Sequence, residues 1–367
     1  MTLSDSFATL RPHIDEATAT SLATLLARAG ASGRSEEFSR AVLASASGGK
    51  RFRALMAHVG YALSSGIALD QVSLPHLSAA LELYQASALV HDDIIDKADE
   101  RRGMPTPHRT LAHHHASSSW IGSSTDFGRH AAILVGDFLF SAATAAADEQ
   151  ALTLRQDCAR AFARRFADMH AEVALGQYLD ITAEQSPLDP QRTDALSTSD
   201  SLEVALHKSA RYSVVHPAIL GAICGAPSID GVAELLNVLE TILTPWGLAF
   251  QLRDDDLGVF GDPAVTGKPA GDDLREGKRT ALLALTWEAS SPAERRALTD
   301  VLGVTEASAE QIATATEIVE RNGRAAHEAE IARLVADGHA ALDASSFTDD
   351  ARAMLRELCS ILTARRA

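Results

Sequence analysis

Apolar residues recur at spacings of three and four along most of the chain, the period of helices that bury one face. The pattern predicts helices over 76–97, 131–148, 151–182, 201–225, 231–260 and 307–342. β-branched residues in strict alternation are absent, so strands are not expected. Ala, Leu, Glu and Arg, all good helix formers, are abundant. The expected class is therefore all-α, with no internal repeat of fixed period. Three segments interrupt the pattern. Residues 103–129, rich in Ser, His, Gly and Pro, read as a long loop. Residues 183–200 are polar with two prolines and read as a connection. Residues 261–279 carry four glycines, two prolines and several charges, the composition of a binding loop or lid. None resembles a flexible interdomain linker, so one domain over 1–367 is expected.

Composition adds limits. Hydrophobic residues make up 46% of 367, enough for a sizeable core. The net charge of −16 argues against a nucleic-acid partner held by a broad basic surface. It leaves room for anionic substrates, since a few local cations or bound metals override a global sign. The three cysteines, Cys158, Cys224 and Cys359, form no CxxC pair and suggest neither a disulfide framework nor zinc. The N-terminus lacks a basic stretch followed by an apolar run. No eighteen consecutive residues are apolar, so no membrane span is expected. The expected location is the cytoplasm.

Two acidic clusters stand out. In His91-Asp92-Asp93-Ile94-Ile95-Asp96, Asp92 and Asp96 lie about 40° apart on one helical face, with Asp93 inside the same arc of about 100°. In Gln251-Leu252-Arg253-Asp254-Asp255-Asp256, Gln251, Asp254 and Asp255 share a face, whereas Asp256 sits about 200° from Asp254 and points elsewhere. One such cluster could be a solvated helix end. Two, each closing an apolar helix, call for cations, because buried unpaired carboxylates are expensive. Mg²⁺ suits them, being a hard ion that takes carboxylate and phosphate oxygens.

The cations are selective. Only five are lysine (Lys50, Lys97, Lys208, Lys268, Lys278) against 28 arginines. Lys50 follows two glycines in GGKRFR, Lys208 lies in HKSAR, and Lys268 and Lys278 lie after the second acidic cluster. Arg101 and Arg102 follow the first. Carboxylates and cations flanking the same helices are what a diphosphate site needs, with Mg²⁺ bridging to phosphate oxygens and Lys and Arg neutralising the rest. His113-His114-His115 has no Cys or further His partner and reads as a solvated loop. His91 reads as a neighbour of the metal site. Trp246 and Phe250, at helical spacing, read as core.

GGKRFR, LYQASALVHDDIIDKADERRG, GQYLDI, LHKSARYS, FQLRDDDLGVFGD and GKPAGDDLREGKRT span residues 48 to 280. In that order they resemble the trans-polyprenyl diphosphate synthases, particularly bacterial geranylgeranyl and farnesyl diphosphate synthases. The resemblance implies a single-domain orthogonal helical bundle around a deep central pocket, of isoprenoid synthase type, and a homodimer packed through helices. It implies head-to-tail condensation of isopentenyl diphosphate with an allylic diphosphate, and Mg²⁺ as cofactor, three ions with the bound diphosphate. Asp92, Asp96 and Asp254 would hold metal, with Asp93 and Asp255 supporting. Arg101, Lys208, Lys268 and Lys278 would contact the allylic diphosphate. Ser209 and Gln177 would lie at the reacting end, and Gln251 near the metal. Lys50, Arg53, Gln85 and Arg102 would bind isopentenyl diphosphate. Gly258 departs from the pattern: relatives often have a third aspartate there, and glycine cannot ligate.

Chain length follows from the helix before Asp92. Ala88 and Ser87 are small where short-chain farnesyl synthases typically place aromatic rings. Tyr84, one turn further, would form part of the pocket floor or pack in the core. Geranylgeranyl diphosphate is the expected product, with farnesyl diphosphate or a longer polyprenyl diphosphate as alternatives. A class I terpene cyclase or a head-to-head synthase has no need of the GGKxxR site. An inactive regulatory subunit would not need carboxylates in both clusters.

Overall fold

The computed structural model describes residues 2–261, 271–304 and 306–363. Among these the chain is helical apart from one small hairpin. It divides into two compact units, Met1–Phe166 with Pro217–Ala233, and Ala167–His216 with Glu234–Ala367.

The first unit begins with α1 (Leu3–Arg28), started by a reciprocal cap between Thr2 and Asp5. Next come α2 (Glu36–Ser45), α3 (Phe52–Ser65) and α4 (Pro75–Ile95). Pro75 opens α4, where a missing N–H removes nothing from the helix. Leu77, Leu81, Leu83 and Tyr84 are all buried, so α4 runs through the unit's core. The hairpin β1 (Glu100–Arg101) and β2 (Met104–Pro105) follows. Its two turn residues, Arg102 and Gly103, both have positive φ, 56° and 73°, as a type I′ turn requires. Then come α5 (Pro107–Ser117), α6 (Ser124–Leu152) and the start of α7 (Gln156–Gln185).

The predicted loop over 103–129 is thereby corrected. It holds β2, all of α5 and the first turn of α6. Pro107 sits in the first turn of α5, and Leu111 and His115, four apart, face inward. His115 is buried, its Nε2 is 3.1 Å from the Ile121 carbonyl, and its ring meets those of Trp120 and Phe127. The histidine tract is thus helical and partly in the core. Helix α6 is the one described helix long and apolar enough, by length and composition, to cross a membrane. Its buried residues, among them Val135, Leu139 and Ala143, belong to the face packed on α4 and α5.

The second unit takes the rest of α7, α8 (Thr198–Ala205), a wide-turn π segment (Leu206–Val215), most of α10 (Ile229–Phe260), α11 (Asp272–Glu276), α12 (Ala281–Ala289), α13 (Pro292–Thr299), α14 (Ala309–Asn322), α15 (Arg324–Asp343) and α16 (Asp349–Thr363). Helix α9 (His216–Gly225) lies almost wholly in the first unit. One apolar cluster joins Val259, Leu274, Trp287, Leu298 and Val319, and another Leu252, Ala281, Ile331 and Leu334. Both flank the end of α10 that carries the second acidic cluster. Trp246 is fully buried and Phe250 nearly so, as expected for core residues.

Candidate active site

In the first unit the GGKRFR turn is built on left-handed backbone at Gly48, Gly49 and Arg51, with φ of 68°, 100° and 53°. Its second cation turns inward. Arg51 is buried, donates from Nε to Asp15 at 2.5 Å and to the Ala46 carbonyl at 3.0 Å, and lies 3.5 Å from Glu82. Glu82, buried on α4, also accepts the Ala54 N–H at 3.2 Å. Burial pushes its carboxyl up, against the pull of Arg51 and Arg53. Arg51 and Glu82 thus tie the turn to α4 and leave Lys50 exposed and Arg53 half-buried in the first turn of α3. Sequence reasoning missed both; the arginine between Lys50 and Arg53 was the available signal.

Arg102 joins this group. Its guanidinium lies over Gly49, with Nη1 3.1 Å from where a Cβ would stand. Burial lowers its pKa, and the charges of Arg101, Arg51 and Arg53 act in the same direction. Arg53 and Arg102 are therefore near enough for their charges to interact, beside the turn that carries Lys50; Gln85 is half-buried on α4.

Arg101 bridges to the first acidic cluster. It donates from Nε to Asp93 at 2.6 Å and from Nη2 to Asp92 at 3.1 Å. Asp93 is 2% exposed. Burial pushes its carboxyl up to about 6, although Arg101 opposes this, and the charges of Asp92 and Asp96 add to the rise. Asp92 and Asp96 are half-buried. His91 turns toward α6, with Nε2 3.5 Å from Asp137, a neighbour of the cluster as expected. Four residues before Asp92, Ala88 is half-buried; Ser87 is buried. One turn further, the Tyr84 ring meets Phe140 of α6 edge-on, with centroids 5.9 Å apart. Phe140 was not legible from sequence, since it lies on a different helix.

In the second unit Gly176 lets α7 touch the π segment. A Cβ there would stand 2.3 Å from the Lys208 backbone nitrogen. Lys208 Nζ donates to Asp180, a buried carboxylate one turn beyond Gly176 on the same helix. Gln177 and Ser209 are half-buried beside these contacts, and the Gln177 side-chain nitrogen has no hydrogen-bond partner among the described residues. Wide helical turns are rare and recur at functional sites. This one is held by Glu172, whose carboxylate pairs with His207 Nδ1 at 2.7 Å and His216 Nε2 at 2.6 Å and accepts from Arg211 Nε at 3.2 Å. Burial alone would raise the Glu172 pKa, but these partners bring it down to about 2.

A depressed carboxyl stabilises the fold above its unfolded pKa, and that contribution is lost as pH falls toward the folded value. Glu172→Gln is expected to melt lower at pH 7. It should then lose less further stability than the parent between pH 4.5 and about 2. Thermal melts across that window check this; parallel acid limbs would assign the parent's loss elsewhere.

At the second cluster Gln251 donates to Asp255 at 2.8 Å. Asp255 is buried, whereas Asp254 is exposed. Burial holds the Asp255 carboxyl well above the usual range, and the charges of Asp273, Asp254 and Asp180 add to this. Asp256 points away, as its helical angle predicts, and lies 3.2 Å from Arg324 and 3.7 Å from Arg253. Arg324 also covers the Phe260 ring. Asp256 therefore fastens α10 to α15. Lys278 is 3.4 Å from Glu276 and 3.9 Å from Glu184. Lys268 lies outside the described residues.

A polyprenyl synthetase family model matches residues 35–319. A geranylfarnesyl diphosphate synthase of Aeropyrum pernix is 30% identical over 307 residues, 82% of this chain and 86% of that protein. A geranylgeranyl diphosphate synthase of Mycobacterium tuberculosis is 31% identical over 299 residues, 80% of this chain and 75% of that one. The crystal structure of geranylgeranyl pyrophosphate synthase from Corynebacterium glutamicum, complexed with isoprenyl diphosphate and magnesium, shares 35% identity at a TM-score of 0.84, covering 96% of this chain and 99% of that one. With a family match over most of its length, this chain belongs to the polyprenyl synthetase family.

Proposed function

We propose that this prenyltransferase condenses isopentenyl diphosphate with allylic diphosphates and stops at geranylgeranyl diphosphate. The observation that carries the chain length is on α4: the small side chains of Ala88 and Ser87, four and five residues before Asp92, then the paired rings of Tyr84 and Phe140. A growing prenyl chain passes the small residues and meets rings about two turns, roughly 12 Å, from the carboxylate.

The donor sets fit a hard divalent cation. They are oxygen-only, and burial, with neighbouring negative charge second to it, holds the Asp255 carboxyl up. Asp92, Asp96 and Asp254 would hold Mg²⁺, three ions in all, with Asp93 and Asp255 adjacent. Bound Mg²⁺ neutralises diphosphate as a leaving group. Arg101, Lys208, Lys268 and Lys278 orient the allylic diphosphate and offset its remaining charge. Lys50, Arg53, Arg102 and Gln85 hold isopentenyl diphosphate so that its alkene meets the allylic carbon. Gln177 and Ser209 sit at the reacting end. Ionisation of the allylic C–O bond leaves a cation that water would capture, so the reaction needs a dry site. The alkene attacks, a C–C bond forms, and a proton leaves to the released diphosphate. No side-chain nucleophile takes part.

The chain works as a single catalytic domain in the cytoplasm and as a homodimer, with no nucleic-acid partner and no membrane-spanning segment. Exposed Ile133, Leu134 and Phe140 on α6 support the dimer as an apolar face for a second copy. Purified protein given Mg²⁺, dimethylallyl diphosphate and isopentenyl diphosphate is expected to release geranylgeranyl diphosphate, read by chromatography after dephosphorylation. A cyclic hydrocarbon, or no prenyl transfer, would sink the proposal.

The two substrate groups separate kinetically. Arg53→Ala is expected to raise KM for isopentenyl diphosphate about tenfold or more with little change for the allylic substrate, and Lys208→Ala the reverse, each loss matching one charge-assisted contact. Identical profiles for the two variants would remove the assignment.

A further inference from the structure

His207, Arg211 and His216 all pair with the Glu172 carboxylate, at 2.7, 3.2 and 2.6 Å. A regular α-helix would not bring them together. At 100° per residue, the nine steps from 207 to 216 leave the two histidines about 180° apart, on opposite faces. The π segment (Leu206–Val215) closes its bonds to the fifth residue in place of the fourth. Steps of four and then five residues each make roughly one such turn, so 207, 211 and 216 fall on one face. The wide turn and the carboxylate therefore depend on each other: narrowed to an α-helix, the segment would point His216 away from Glu172.

On α7 the facing residues form one stripe. Glu172, Gly176 and Asp180 follow at intervals of four, each about 40° round from the last. At Gly176 a Cβ would stand 2.3 Å from the Lys208 nitrogen and 2.6 Å from the His207 carbonyl carbon, so main chain meets main chain there. One turn on, the buried Asp180 takes the Lys208 ammonium. Glu172 thus holds the residue before Lys208, Gly176 sets the gap and Asp180 receives the tip. Glu172 itself stands eight residues from Asp180, about 12 Å along the helix, away from the Lys208 ammonium.

We propose that Glu172 is a positioning residue for the allylic diphosphate. By gathering His207, Arg211 and His216 it keeps the turn wide, and the wide turn fixes where Lys208 presents its ammonium. Glu172 acts through Lys208 and touches no substrate. This rests on the reading of Lys208 as a contact of the allylic diphosphate, and it adds to that contact the device that places it.

The test is steady-state kinetics of the full-length enzyme with both substrates varied. Glu172→Gln keeps the side-chain shape without the charge, and Arg211 retains Glu240 at 2.6 Å. KM for the allylic substrate is expected to rise about fivefold or more while KM for isopentenyl diphosphate stays within about twofold, a loss in keeping with a small misplacement of one binding group. Added to Lys208→Ala, Glu172→Gln should raise the allylic KM no further, because the group it places is already gone. Parental allylic KM in Glu172→Gln, equal rises in both Michaelis constants, or a further allylic loss in the double variant would overturn the inference. So would a lower melting temperature with both constants at parental values, which assigns Glu172 to folding alone. If Glu172→Gln does not fold, His207→Ala decides in its place. It removes one arm at a half-buried position and should show the same split between substrates; parental constants there would overturn the inference. Lys208→Ala separates this failure from a wider one. If it leaves the allylic KM unchanged, the reading of Lys208 falls and the inference with it. If it raises that KM and Glu172→Gln matches the parent, only Glu172 loses its role.

Discussion

Asp92→Ala and Asp254→Ala are each expected to cut turnover by about a thousandfold or more while the protein stays folded. Losing one preorganised group that stabilises a developing oxyanion costs about 10²–10³ in rate, and a lost metal ligand removes more than one hydrogen bond's worth of charge stabilisation. The fold has little at stake at either position. Asp254 is exposed. Asp92 is half-buried and shares Arg101 with Asp93, whose 2.6 Å bond to the guanidinium remains when Asp92 is removed. Steady-state rates at saturating Mg²⁺, with melting curves alongside, check both halves. Near-parental turnover by either variant would remove the metal assignment.

Ala88→Phe is expected to change what the enzyme makes. A phenyl ring one helical turn above Asp92, about 6 Å away, stands where the chain would pass on its way to Tyr84. The product should shorten by at least one isoprene unit. Tyr84→Ala should lengthen it, because the Tyr84 ring, buried against Phe140 with centroids 5.9 Å apart, is half of the proposed floor. Phe140→Ala should act in the same direction as Tyr84→Ala. Core packing predicts a different outcome for Tyr84→Ala: a buried aromatic cut to alanine costs about 3–5 kcal/mol of stability and leaves chain length alone. Products of all three variants, dephosphorylated and resolved by chromatography, decide the point. An active Ala88→Phe enzyme with unchanged chain length would end the floor argument.

The histidine-rich segment shows where composition misleads. Residues 103–129 look like a loop because Ser, Gly, Pro and His dominate them, yet Pro107 starts α5 and Leu111 and His115 give it an inward face. The inward face is stabilised by Trp120 and Phe127, partners that no window of helical periodicity contains. Pro107 at the first turn was the local signal available. The interruption at 183–200 is a connection, as its prolines and polar residues predict: α7 ends at Gln185, a single 3₁₀ turn spans Thr193–Ala195, and α8 starts at Thr198.

What the sequence by itself determined are properties of single helices. Side chains three and four apart share a face whatever surrounds them, so Asp92 with Asp96, Gln251 with Asp255, and the turn of Asp256 away from Asp254 were all legible. The cation motifs and their order were legible for the same local reason. Tertiary structure alone decided which charge meets which. Arg51 turns in to Asp15 and Glu82 while its neighbours Lys50 and Arg53 do not share its burial. Lys208 meets Asp180 because Gly176 lets two backbones touch. Asp273 fills the place left at Gly258, fifteen positions earlier in the chain. These pairings join residues on separate elements, so they depend on helix packing distances that helical period does not encode. The strength of each then follows from burial, which only the packed chain creates.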